Sequence, residues 1–131
     1  MEKIDIKPLR NLPKVYFDGS NGHFEICGSS YPQNAELFYL PLVEYVSSYI
    51  KKPQAKTLLV CQIDYFQTTS EKHLIDIIKI LRNVKKNGFE LDIDWVYVDE
   101  DDSEDIIITG KEIEALVKVK FNFKKKNKFS I

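Results

Sequence analysis

Between Lys56 and Val98 the chain runs through an apolar strand, an amphipathic helix and an alternating strand without interruption. No other stretch constrains the fold so tightly. "KTLLVCQIDYF" (Lys56 to Phe66) is rich in β-branched and aromatic residues and predicts a long strand. In the next segment Leu74, Ile77, Ile78, Leu81 and Val84 recur at helical spacing, while Lys72, Asp76, Lys79, Arg82 and Lys86 occupy other faces. "KKNG" closes that helix, with basic residues at the negative end of its dipole and Gly88 at the cap. "ELDIDWVYV" (Glu90 to Val98) then alternates, which places Leu91, Ile93, Trp95 and Tyr97 on one face of a strand. A helix joining two such strands implies a parallel pair and a right-handed crossover.

The flanks extend this unit. "KVYFD" (Lys14 to Asp18) and "HFEICG" (His23 to Gly28) surround the turn "GSNG" and predict a β-hairpin. "AELFYLPLVEYVSSYIKK" (Ala35 to Lys52) predicts a helix with Phe38, Leu42, Tyr45, Val46 and Tyr49 on one face, kinked or delayed by Pro41. "IIITGKEIEALV" predicts a third helix, weakened by Gly110 and by β-branched isoleucines. "VKVKFNF" (Val117 to Phe123) predicts a last strand with Val117, Val119, Phe121 and Phe123 inward. The order β-β-α-β-α-β-α-β implies an α/β fold: a single domain over residues 1–131, with a mixed sheet and helices mainly on one face. Residues 1–13 read as an N-terminal extension and residues 124–131 as a basic C-terminal tail.

Several function classes find no support. A formal net charge of −1 gives no global attraction to nucleic acid or to an anionic membrane. No apolar run approaches the roughly 20 residues of a spanning helix, so no membrane insertion is expected. The start of the chain lacks a signal peptide's apolar core, and Cys27 and Cys61 are unclustered, so reduced thiols and a cytoplasmic location are expected. There is no Walker-type loop, GxGxxG or HExxH. His23 and His73 have no cysteine or carboxylate partner at ligand spacing, so no metal, no cofactor and no catalytic residue is expected. A small enzyme built on Cys61 or His73 would need those side chains to converge in a pocket. The run Asp99 to Asp105 carries six carboxylates in seven positions. It fails as a calcium loop, because Glu104 and Gly110 stand where the turn glycine and the bidentate glutamate belong. It reads as a solvated loop able to lean on basic neighbours such as Lys124 to Lys128.

The hydroxyls before the central helix are more informative. Thr68-Thr69-Ser70-Glu71 matches the capping box T-x-x-E, with Thr68 as N-cap. Such a hydroxyl lies at the surface, at the positive end of the helix dipole, beside unpaired backbone amides. A phosphoryl group there adds about −1.5 to −2 charges where the fold can accommodate them. Tyr65 and Phe66 supply apolar anchors beside it.

At this point the sequence resembles a known family. "FDGSNGHFEICGSSYPQNAELFYLPLVEYVSSYI" is similar to the hairpin and first helix of the SiaC-type regulatory phosphoproteins, with their FD…G…I-x-G-x-S-x-P-E-N-x-x-x-F-Y pattern. "IDYFQTTSEKHLIDIIKIL" resembles their Y-[LF]-N-T-S-S segment and the helix after it, and "LDIDWVYVDEDD" their W-x-Y strand and acidic follow-up. The likeness spans Lys14 to Phe123. It implies a cytoplasmic adaptor similar in fold to STAS domains, the anti-sigma-factor-antagonist fold. It implies as well a threonine phosphorylated by a protein kinase and released by a PP2C-type phosphatase. The unphosphorylated form is then expected to bind and activate a diguanylate cyclase or other effector, raising cyclic di-GMP and promoting aggregation or biofilm. Carried over by position, the acceptor is Thr68. Gln67, Thr69 and Gln33 replace the family's Asn, Ser and Glu, which makes Thr69 a second candidate. The partner-binding residues expected are Tyr65, Phe66, Gln67, Thr69 and Ser70, with Tyr31, Pro32 and Asn34 of the "SSYPQN" loop. The alternative is a constitutive protein-binding module of STAS-like fold, in which TTS is only a helix cap and no phosphoswitch exists.

Overall fold

The computed structural model of the protein describes residues 1–98 and 103–127. Its strands are β1 (Ile4–Ile6), β2 (Lys14–Asp18), β3 (His23–Ser30), β4 (Lys56–Phe66), β5 (Glu90–Val98) and β6 (Asn122–Lys126). Its helices are α1 (Ala35–Tyr49), α2 (Thr68–Leu81) and α3 (Ser103–Val117), and a 3-10 turn over Arg82–Asn87 prolongs α2. The strands form one sheet in chain order, β1-β2-β3-β4-β5-β6. β1, β2 and β3 are antiparallel, whereas β3 to β6 are parallel. Each of the three crossovers steps one strand in the same direction. Right-handed connections therefore lay α1, α2 and α3 on the same face of the sheet, where α2 packs against both other helices. This is the mixed α/β layer expected from the element order.

The core lies between that helical layer and the sheet. Val15, Phe17, Phe24, Ile26, Leu59, Cys61, Ile93 and Trp95 face inward from the strands and are essentially fully buried. They meet Leu42, Val46 and Tyr49 of α1 and Leu74, Ile77, Ile78 and Leu81 of α2. Edge-on aromatic pairs, Phe17–Phe24 at 5.1 Å and Phe24–Tyr49 at 4.9 Å, lock the hairpin to α1. Gly110 belongs to this packing. A Cβ there would stand 2.5 Å from Trp95 Nε1, so the residue that weakens α3 is the one that lets it reach the sheet. Gly88, at φ 85°, ends the helical run as anticipated.

Four expectations need correction. Ile4–Ile6, within the expected extension, pairs with β2 as an edge strand. The last strand is shifted: α3 runs to Val117, and pairing begins only at Asn122. Val119 and Phe121 are still buried, but the Phe121 amide donates to Glu114 Oε2 at 2.7 Å and so is withdrawn from any ladder. Lys124 to Lys126, read as tail, form the far edge strand, where a row of lysines discourages pairing with another chain. Lys124 Nζ reaches Asp94 Oδ2 at 2.9 Å, so its complement is a β5 carboxylate. Finally, the acidic run is not loop throughout, because Ser103, Glu104 and Asp105 open α3 at the positive end of its dipole. Residues 99–102 and 128–131 lie outside the described residues.

Candidate functional site

The parallel strands β3 and β4 end side by side, and the chain leaves them to begin α1 and α2. Two helix starts thus share one edge of the sheet. An irregularity in the β3–β4 ladder decides what is displayed there. Gly28 pairs with Ile63, but Ser29 pairs with Tyr65, so Asp64 is an extra residue in β4. A bulge reverses which side chains point outward. Tyr65, which regular alternation would bury, is 57% exposed, and Phe66 is turned toward the core. Tyr65 meets Tyr31 edge-on, with ring centroids 6.0 Å apart.

The helix after this bulge starts differently from the capping-box expectation. Gln67 is the N-cap, with extended backbone at φ −67° and ψ 160°, and its carbonyl accepts the Glu71 amide at 3.0 Å. Thr68 is the first helical residue and is exposed. Among the described residues no side chain caps α2. The Gln67 amide group instead donates to the Pro32 carbonyl at 3.2 Å and to Thr69 Oγ1 at 2.9 Å, while its backbone N–H donates to the Ser30 carbonyl at 3.0 Å. Thr69 is therefore exposed but engaged, whereas no hydrogen bond of the Thr68 hydroxyl occurs among the described residues.

The expected partner residues divide. Tyr31, Asn34, Tyr65 and Thr69 are exposed, and Phe66 and Gln67 are half-buried. Ser70 and Pro32 are corrections: both are buried and unavailable to a docking protein. Ser70 faces inward because it lies four residues before Leu74 on the stripe that α2 packs into the core. Its Oγ accepts from Ser30 Oγ at 2.8 Å, and Ser30 Oγ in turn bonds the Tyr39 hydroxyl at 2.7 Å. Burial pushes the Tyr39 phenol up to about 12, so it stays protonated. Asn34 caps α1, its Oδ1 accepting from the Leu37 amide at 3.0 Å.

Electrostatics differ on the two sides of α2's first turn. An open hollow of about 320 Å3 lies between the starts of α1 and α2, lined by Gln67, Thr69, Lys72 and His73 on the α2 side and by a single carboxylate, Glu36, on the α1 side. A second hollow, of about 260 Å3, lies toward β5 and α3 and is lined by Tyr65, Phe66, Trp95 and the carboxylates of Asp64, Glu71 and Asp105. Burial, with Glu112 nearby, holds the Glu71 carboxyl above its ordinary value. The His73 ring stacks on Tyr39 at 5.2 Å, and Cys61 is fully buried with its thiol pushed far up by desolvation. Among the described residues no three His, Cys, Asp or Glu side chains could together hold a metal. None of their helices is long and apolar enough to cross a membrane.

Two surface residues escaped the sequence reading. Leu37 is 71% exposed and Leu40 50%, on the outer face of α1 just past Asn34. The signal was present, since neither falls on the Ala35, Tyr39, Leu42, Val46, Tyr49 stripe that the helix buries.

Comparison with known proteins places this arrangement. The family described as SiaC family regulatory phosphoprotein matches residues 6–126. The chain belongs to the SiaC family. An uncharacterized protein of Pseudomonas aeruginosa is 24% identical over 97 residues, covering 74% of this chain and 77% of that protein. The solved structure of SiaC of Pseudomonas aeruginosa superposes with a TM-score of 0.81 at 20% identity, covering 97% of this chain and 99% of its own. A crystal structure of the diguanylate cyclase SiaD in complex with its activator SiaC, also from Pseudomonas aeruginosa, matches with a TM-score of 0.85 at 20% identity over 94% of this chain and 99% of that one. At these identities the structural likeness establishes the shared fold.

Proposed function

We propose that this chain is a non-enzymatic, cytoplasmic adaptor of the SiaC family, switched by phosphorylation of Thr68. Its unphosphorylated form binds and activates a diguanylate cyclase or comparable effector. The observation that carries the reading is the start of α2. There an exposed threonine hydroxyl, without a hydrogen bond among the described residues, stands at a helix N-terminus whose first amides none of their side chains caps. A protein kinase transfers the γ-phosphoryl group of ATP to Thr68 Oγ1, and a PP2C-type phosphatase hydrolyses the ester. The dianion meets the positive helix end, with Lys72 one turn along, so the fold tolerates it. A partner surface shaped around neutral Thr68, Tyr65 and Tyr31 does not. Thr69 is the weaker candidate, because its oxygen already accepts from Gln67.

Support for an effector of the cyclase class comes from the relative's complex, in which SiaC is the activator of SiaD. The test is calorimetric titration of a diguanylate cyclase from the same organism with wild type, Thr68→Ala and Thr68→Asp. Wild type and Thr68→Ala are expected to bind alike, and Thr68→Asp at least ~10-fold more weakly. Equal affinity for all three removes the switch. That outcome would leave the constitutive module, which the exposed ring pair Tyr31 and Tyr65 favours, since such a surface needs no phosphate to dock.

A further inference from the structure

Three hydroxyls with no role in phosphate chemistry meet where α1, β3 and α2 come together. Ser30, Tyr39 and Ser70 are each 0% exposed. The Tyr39 hydroxyl and Ser30 Oγ are 2.7 Å apart, and Ser30 Oγ donates to Ser70 Oγ at 2.8 Å. Alanine and phenylalanine would fill nearly the same volume without polar groups to desolvate. What hydroxyls add is direction. Apolar contacts tolerate a sliding helix, whereas a chain of short hydrogen bonds holds only when its oxygens keep their distance and angle. The chain grips α2 at Ser70, two residues after Thr68, and ties it to the last residue of β3 and to the second turn of α1. Parallel ties run beside it. The Gln67 backbone donates to the Ser30 carbonyl at 3.0 Å, and the His73 ring lies within 9° of parallel to Tyr39.

We propose that Ser30, Tyr39 and Ser70 are positioning residues: their buried hydroxyl chain sets the first turn of α2, with Thr68 and Thr69, against the β3–α1 loop. Threonine, Tyr31 and Tyr65 are thereby presented to a modifying or docking protein as one surface. The consequence for modification rests on the reading of Thr68 as the switch; the positioning itself does not.

Tyr39→Phe and Ser70→Ala each remove a single oxygen, from opposite ends of the chain. Amide hydrogen exchange is followed on the whole protein, alongside denaturant unfolding and phosphothreonine occupancy in protein recovered from the native host. In both variants the amides of Glu71 to Leu74 are expected to exchange ~10-fold faster, the effect of one lost buried hydrogen bond on a local opening. Those of Ile78 to Leu81 should follow only the change in global stability. Occupancy should fall several-fold, which a loss of stability alone would not produce in a chain that remains folded. Uniform acceleration along α2 or no acceleration would overturn the positioning role, and local loosening with unchanged occupancy would overturn its consequence for modification. Wild type without phosphothreonine would instead strike the Thr68 reading, and the exchange pattern alone would then decide the positioning role.

Discussion

The two helices that start at the same sheet edge are closed in different ways. At α1 the side chain of Asn34 accepts the Leu37 amide, so the helix satisfies its own first turn. At α2 the N-cap Gln67 spends its side chain on the neighbouring loop and on Thr69, and no side chain among the described residues caps the helix. Its serine points into the core and its first threonine into solvent. One start is self-contained, and the other is held from outside. The lesson is electrostatic: a helix start secured by distant contacts keeps its positive end open, and an open positive end is where a dianion can be added without unfolding anything.

Ser70→Ala sharpens the contrast most. If α2 is held from outside, loss of that hydroxyl leaves the buried Ser30 O–H without the acceptor it has now and costs about 1–3 kcal/mol in denaturant unfolding. Asn34→Ala comes next, at about 1 kcal/mol for a lost cap. Thr68→Ala should stay within about 0.5 kcal/mol, as for an uninvolved surface residue. A cost equal to that of Asn34→Ala would mean Thr68 caps α2 after all, and the two starts would be alike. The smallest effect concerns Glu71, whose carboxyl burial and Glu112 hold above 4.5. The folded chain binds that proton more tightly than the unfolded one, so the stabilisation is full at pH below 4.5 and is lost as pH rises through the folded value. Glu71→Gln should raise the denaturation midpoint slightly at neutral pH and lose this advantage in acid, as pH-dependent unfolding would show.

Much of the fold was legible in the sequence, whereas the contrast between the two helix starts was not, since the T-x-x-E pattern pointed to a Thr68 cap on α2 and Asn34 was not read as the α1 cap. β4 and β5 were readable to the residue because long apolar or alternating runs leave no other phase, and α2 because its stripe is unambiguous. β1 has three residues, too few to show a period. The shift of β6 depends on a Glu114 carboxylate taking the Phe121 amide, a contact across seven residues that no propensity registers. At the site, the T-x-x-E pattern pointed to Thr68 as the N-cap, one residue past the Gln67 that takes that place. The helical stripe could have placed Ser70, which falls in phase with Leu74, Ile77 and Leu81 and so had to face the core. Tyr65 was harder. Its outward turn follows from the bulge at Asp64, which strand alternation alone would not place.

Intact-mass measurement with site mapping on protein recovered from its native host decides whether the open start of α2 is where this chain is chemically switched. A species heavier by one phosphoryl group, with the phosphate on Thr68 and an undiminished unfolding midpoint, is the predicted result. Phosphate confined to other residues, or a Thr68-phosphorylated protein that no longer folds, would contradict it.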